Sequence, residues 1–155
     1  NTDLVANFEA SPQVLNNAAE LHGVVRTAHG TVELASGDSD DNDIVMLAPI
    51  PSNAAVPSLF IGSDTLGGSC TFNVGIYTSA GVVKDEDVFA TLVADAAGMA
   101  DVRFEAANID TAGKKMWELA GDSSDPGGYY YVAATMAADG QTAGTMSWNI
   151  SYVVN

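Results

Sequence analysis

The chain is poor in the residues on which most enzymes and nucleic-acid binders depend. It holds one cysteine in 155 residues, Cys70, so no intrachain disulfide framework can form. Two histidines, His22 and His29, are too few and too poorly supported for a metal cluster. Lysine and arginine total 5 against 20 aspartates and glutamates, a net charge of -15. Phosphate repels such a chain, which excludes nucleic-acid binding by any sequence-independent route and disfavours anionic membrane surfaces. No apolar run approaches the roughly 18 residues of a membrane helix. No Ser/His/Asp order, Cys/His pair or phosphate-cradling glycine loop can be assembled, and no cofactor site is visible. The many carboxylates leave a glycosidase pair open, but most of them fall in loop segments, as a solvated surface requires. The expectation is a protein that is not an enzyme.

What is present is β-pattern. The hydrophobic fraction of 47% is too high for intrinsic disorder, and one domain is the default at this length. Ser58 to Ser79 (SLFIGSDTLGGSCTFNVGIYTS) reads as two strands joined by the breaker cluster Thr65 to Ser69. Phe72, Val74 and Ile76 alternate with Asn73, Gly75 and Tyr77, the period-2 pattern of a strand with one buried face. Cys70 beside it reads as a small strand residue.

Residues 1 to 22 have no steady period and read as an extended N-terminal arm, with 23 to 155 as the β-sandwich domain. The arm spaces out hydrophobic anchors: Leu4 and Val5, Phe8, then Val14 and Leu15. Pro12 interrupts any helix and Asn16-Asn17 favours a turn. Two readings stand: a first strand packed on its own domain, or an arm laid across a neighbouring subunit, for which separated anchors suit several pockets.

From Gly23 to Ser36 a bent or broken strand pair is expected, with Gly30 at a bulge or turn. In the acidic run Gly37 to Asp43, Asp38, Asp40 and Asn42 alternate as in a calcium loop. Asp43 stands where that loop needs Gly, and Pro49 where it needs Glu, so it is a surface loop with no metal. Ile44 to Ile50 is a continuous apolar strand, Val56 to Gly62 a second with Pro57 at its start. Gly81 to Asp87 is a charged connection, Val88 to Val93 a strand or short helix, and Asp101 to Glu105 alternates with Val102 and Phe104 inward. One helix is expected from about Thr111 to Ala120, with Asp110 as N-cap and Gly121 at C′, and Trp117 as a packing anchor. Tyr129 to Ala138 and Thr142 to Val154 form the clearest hairpin, closed near Asp139-Gly140.

Several segments, taken in order, resemble a family of tailed-bacteriophage virion proteins, the small head proteins of decoration or cement type. They are LNNAAELHGVVRTAHGTVELAS, IVMLAPIPSNAAVPSLFIGSD, TFNVGIYTSAGVVKDEDVFAT and KKMWELAGDSSDPGGYYYVAAT. These are structural landmarks, not catalytic signatures, and the acidic loop at 37 to 43 is the most diverged part. The resemblance implies an antiparallel β-sandwich of jelly-roll type on the outer surface of a phage capsid, as a homotrimer or higher assembly. Its partner would be the major capsid protein, with Leu4, Val5, Phe8, Val14 and Leu15 as capsid-binding residues. Two alternatives stand beside it: another virion part (neck, tail or fibre base), or a glycan-binding module using Tyr129 to Tyr131 and Trp148. Against the last, Trp148 shares a strand face with Ile150 and Val154, which points it at the core.

Overall fold

The computed structural model describes residues 2–16, 21, 23–96, 98–106 and 109–154. Two antiparallel sheets face each other. The first runs in the order β1 (Val25–Leu34), β8 (Gly144–Val154), β3 (Ala54–Ser63), β6 (Ala100–Asp101). The second runs β2 (Ile44–Pro51), β7 (Tyr129–Met136), β4 (Thr71–Tyr77), β5 (Val83–Ala94). This strand order is the double Greek key of a jelly roll, so the expected all-β jelly-roll sandwich is what the chain forms.

The core lies between the sheets. Phe72, Val74 and Ile76 of β4, with Val132 and Ala134 of β7, meet Leu59, Ile61, Met146 and Ile150 from the first sheet, all at most 1% exposed. Burying each large apolar side chain contributes about 1.5–3 kcal/mol, which is what fixes the alternation seen in the sequence. Trp148 packs on this core from the first sheet.

The least expected member of the interior is Arg103. It sits in the turn after β6, 1% exposed. Its Nε donates to the Val56 carbonyl at 2.7 Å, and its Nη2 donates to the Thr111 carbonyl at 3.0 Å and hydroxyl at 3.2 Å. The guanidinium lies 5.0 Å from the Phe89 ring centroid and 4.6 Å from that of Phe104. Burial pushes its pKa down to about 10, with Asp101 pulling in the opposite direction.

Several sequence expectations change. The Ser58 to Ser79 strands do not pair with each other; β3 and β4 belong to opposite sheets, and the 64–70 bend carries the chain between them. The expected β7–β8 hairpin likewise becomes a crossover. Its turn is held by other loops, with Gly140 N–H donating to the Ser39 carbonyl and Gln141 and Thr142 N–H to that of Leu66. The β1 segment is one unbroken strand, and Gly30 marks neither bulge nor turn. A Cβ there would stand 2.5 Å from Cζ2 of Trp148, so the glycine makes room for the indole of its cross-strand neighbour. Pro57 does not start its strand; it falls at the irregularity between Ala55 and Ser58, where β3 needs no ladder N–H.

The charged stretch 83–87, expected as a connection, is the first part of β5. The expected ten-residue helix shrinks to a 3-10 turn, Ile109–Thr111, and the four-residue α2, Met116–Leu119. Lys115 interrupts them in an extended conformation, bridged to Ala55, and its N–H, not Asp110, caps the helix start by donating to Glu118 Oε2 at 2.8 Å. The arm is not extended throughout either. Asp3–Glu9 winds into α1, because Leu4 and Phe8 share a face at i, i+4 and Pro12 lies beyond its end. Asn17 and His22 lie outside the described residues.

Candidate docking surface

The arm is built from local interactions. Val5 and Ala6 N–H bond to the Thr2 carbonyl at 3.1 and 2.9 Å, and Asp3 places a negative charge in the first turn, where the helix dipole favours it. After α1 the chain doubles back. Val14 N–H bonds to the Asn7 carbonyl at 3.1 Å, Asn7 Nδ2 donates to Asn16 Oδ1 at 2.9 Å, and Asn16 Nδ2 donates to the Leu4 carbonyl at 3.0 Å. These bonds order the arm against itself, and no residue of α1 is buried.

The five nominated anchors divide. Leu4, Val5 and Phe8 come together with Thr2 and Leu21 around an open apolar depression of about 380 Å³. Val14 and Leu15 lie outside it. Phe8 is 60% exposed, Val14 50% and Leu15 92%, an amount of uncovered apolar surface that a free chain does not gain by presenting.

A second apolar surface is one the sequence reading missed. On the outer side of the second sheet, Ile44, Met46, Val82 and Val83 are exposed. Met46 reaches towards the 78–82 turn, its Cε 3.7 Å from where a Cβ on Gly81 would stand. The signal was present: a continuous apolar strand such as Ile44–Ile50 must expose one face if it lies at a sheet edge with only one side on the core. Beside it, β5 folds over the outer side of β4. A Cβ on Gly75 would be 2.1 Å from the Asp85 carbonyl oxygen, so only glycine lets the β5 backbone cross there.

Several carboxylates serve the loops. Asp95 Oδ2 accepts from Leu66 and Gly67 N–H at 2.7 and 3.2 Å, and Asp139 Oδ1 accepts from Asp41 N–H at 2.8 Å. Within the acidic run, Asp43 accepts from Asp40 N–H at 3.0 Å. Among the described residues no group of His, Cys, Asp and Glu has the geometry to hold a metal ion. Cys70 is buried, and burial, with Asp95 and Asp139 adding to it, pushes its thiol pKa up, so the reactive thiolate is disfavoured.

The tyrosine cluster is only partly a surface. Tyr130 is buried and its hydroxyl donates to Asp122, which also pairs with Lys84 at 2.6 Å. Tyr129 is exposed and meets Tyr131 edge-on, at 5.3 Å and 77°. With Trp148 packed on the core, no broad aromatic platform for a sugar ring remains among the residues the sequence nominated.

No protein-family model and no curated protein matches the sequence. Solved structures do match. A chain of the cyanophage Pam1 capsid asymmetric unit superposes with a TM-score of 0.55 at 17% identity, over 86% of each chain. A chain of the capsid of Ralstonia phage GP4 gives 0.60 at 19% identity, again over 86% of each. The likeness is one of fold. At these identities it carries no residue-level correspondence for the arm or the sheet faces.

Proposed function

We propose that this protein is a non-enzymatic phage virion component that binds the outer surface of the capsid. There it stabilises the shell by bridging neighbouring major capsid subunits. The observation that carries this reading is the arm: an ordered segment whose apolar residues Val5, Phe8, Val14 and Leu15 are left uncovered by the chain's own body. The fold shared with chains of two phage capsid structures supports it. Bridging a shell against internal pressure needs buried area at many repeated sites, not chemistry. Self-association belongs to the reading, since several linked arms engage together with an avidity that one arm lacks. The acidic body would face solvent and discourage aggregation of the particles.

The test is binding of the purified chain to empty, expanded capsids. The full chain is expected to saturate at a symmetry-consistent copy number, and both a chain lacking residues 1–22 and a Phe8→Asp/Leu15→Asp variant to lose binding. Equal binding by all three would move the contact to the β-body and remove the arm from the mechanism. Failure of the full chain to bind would refute the head assignment.

A further inference from the structure

A two-sheet sandwich has four edges, and three of them here are blunted. β6 is two residues long. β2 carries Pro49 and Pro51, which offer no N–H, and an irregularity between Met46 and Ala48. β5 breaks register against β4 at three points and carries Lys84, Asp85, Glu86 and Asp87. Short length, proline, bulges and charge are the devices that stop a sheet edge from recruiting another strand.

β1 is neither short nor bulged and has no proline, and its two charges, Arg26 and Glu33, are of opposite sign. Its ten residues hold unbroken register with β8, from Val25 opposite Val153 to Leu34 opposite Gly144. It contains no proline, and its inward positions Ala28, Val32 and Leu34 are apolar. Among the described residues β8 is the only strand bonded to it, which leaves every second backbone N–H and C=O facing outward.

We infer that this edge pairs with β1 of a second copy of the chain, antiparallel across a two-fold axis, joining two four-stranded sheets into one of eight. The charge pattern selects that occupant. Two bodies of net charge -15 repel, yet β1 holds one cation, Arg26, against one anion, Glu33. The two copies therefore meet where the local charge is zero. A two-fold axis normal to the sheet keeps side chains on their own face, so only even-sum registers are allowed. The one centred on Thr31 sets His29 directly opposite Glu33 of the second copy, twice, on the exposed face. It also sets Ala28 opposite Leu34. Directly opposed complementary pairs of this kind are what select a register. On its other side Glu33 meets its cross-strand neighbour on β8, the Thr145 hydroxyl, which donates to its carboxylate at 3.0 and 3.1 Å. An isologous contact produces dimers; a trimer of the kind implied by the family resemblance needs a different surface.

The pairing is independent of the capsid reading, and its test uses the full chain alone. Light scattering over a concentration series is expected to show a monomer–dimer equilibrium. Glu33→Lys, with unchanged circular dichroism, weakens it roughly tenfold, because it removes the carboxylate that accepts from the opposing His29 and gives both copies of the edge a net positive charge. The double variant His29→Glu/Glu33→Lys restores it. Thr31→Cys, with oxidised glutathione accepting the two electrons, gives a disulfide-linked dimer, while Cys70, at 1% exposure, stays out of the reaction. A monomer at every concentration, a trimer indifferent to Glu33→Lys, or a dimer that Thr31→Cys does not cross-link would each overturn the pairing.

Discussion

Replacing Arg103 separates two contributions to the core that the structure combines in one side chain. Lowering its pKa from 12.5 to about 10 means that keeping the charge inside costs about 3–4 kcal/mol, at roughly 1.4 kcal/mol per pH unit. Against that stand three hydrogen bonds, each worth about 1.5–3 kcal/mol when the donor is charged, and the contacts with Phe89 and Phe104. One nitrogen, Nη1, finds no partner among the described residues, which reduces the gain. Arg103→Met keeps most of the volume and removes the charge, at the expense of leaving the Val56 and Thr111 carbonyls without this donor. The two effects nearly offset, and a net loss of about 1–2 kcal/mol is expected. Arg103→Ala orphans the same carbonyls and opens a cavity as well, for about 3–5 kcal/mol. Urea unfolding followed by the fluorescence of Trp117 and Trp148 measures both. Equal losses for the two variants would refute the reasoning, because filled volume would then contribute nothing that the hydrogen bonds do not.

Gly75→Ala forces a methyl to within 2.1 Å of the Asp85 carbonyl oxygen. The obstacle is backbone, so a loss of about 2–4 kcal/mol is expected in the same assay. Asp122 is held below its ordinary pKa of 3.8 first by its hydrogen bond from Lys84 and next by that from Tyr130. A depressed carboxyl stabilises the fold above its unfolded value, and that contribution drains as pH falls through the folded one. Asp122→Asn is therefore expected to lose that contribution at neutral pH and to flatten the acid limb of a stability profile below about pH 4, where wild type and variant converge. Asp95→Ala leaves the Leu66 and Gly67 N–H groups without their acceptor, and limited proteolysis is expected to reveal faster cleavage in the 64–70 bend at a stability loss of about 1–3 kcal/mol.

The sequence disclosed strands better than their partners. Alternation located Phe72, Val74 and Ile76 on the buried face of β4, because burial on one face is a local consequence of a period of two. Pairing is not local in this fold. Among the described residues only β4 and β5 are both consecutive and bonded, so the Asp-Gly signal at 139–140 marked a real turn but not a hairpin. The reading of Asp101 to Glu105 held for Val102, which is buried, and missed Arg103 for a related reason. Alternation assigned Arg103 to solvent, but the backbone turns there, and the side chain is carried inward to carbonyls contributed by β3 and the 3-10 turn. Of the arm, the apolar positions were legible and their grouping was not. The i, i+4 relation of Leu4 and Phe8 is the signal that places them on one helical face, while Pro12 had argued for no helix at all.

Charge constrains what kind of contact this surface can make. Five cationic side chains are available; Arg103 is buried and Lys84 is tied to Asp122, which leaves Arg26, Lys114 and Lys115 to face solvent. A surface so predominantly negative has few cations with which to hold an acidic partner or a second copy of itself through ion pairs. Such partners must be held by apolar contact or by backbone hydrogen bonds. The structure offers the first at Phe8, Val14 and Leu15 of the arm and the second along β1. Association through either surface works against repulsion that salt screens. Added salt should strengthen it, the opposite of the behaviour of a protein held by phosphate contacts. On the proposed reading, an acidic body and attachment points of no net charge are two halves of one arrangement: the charge suppresses contacts at random and confines adhesion to the arm and β1.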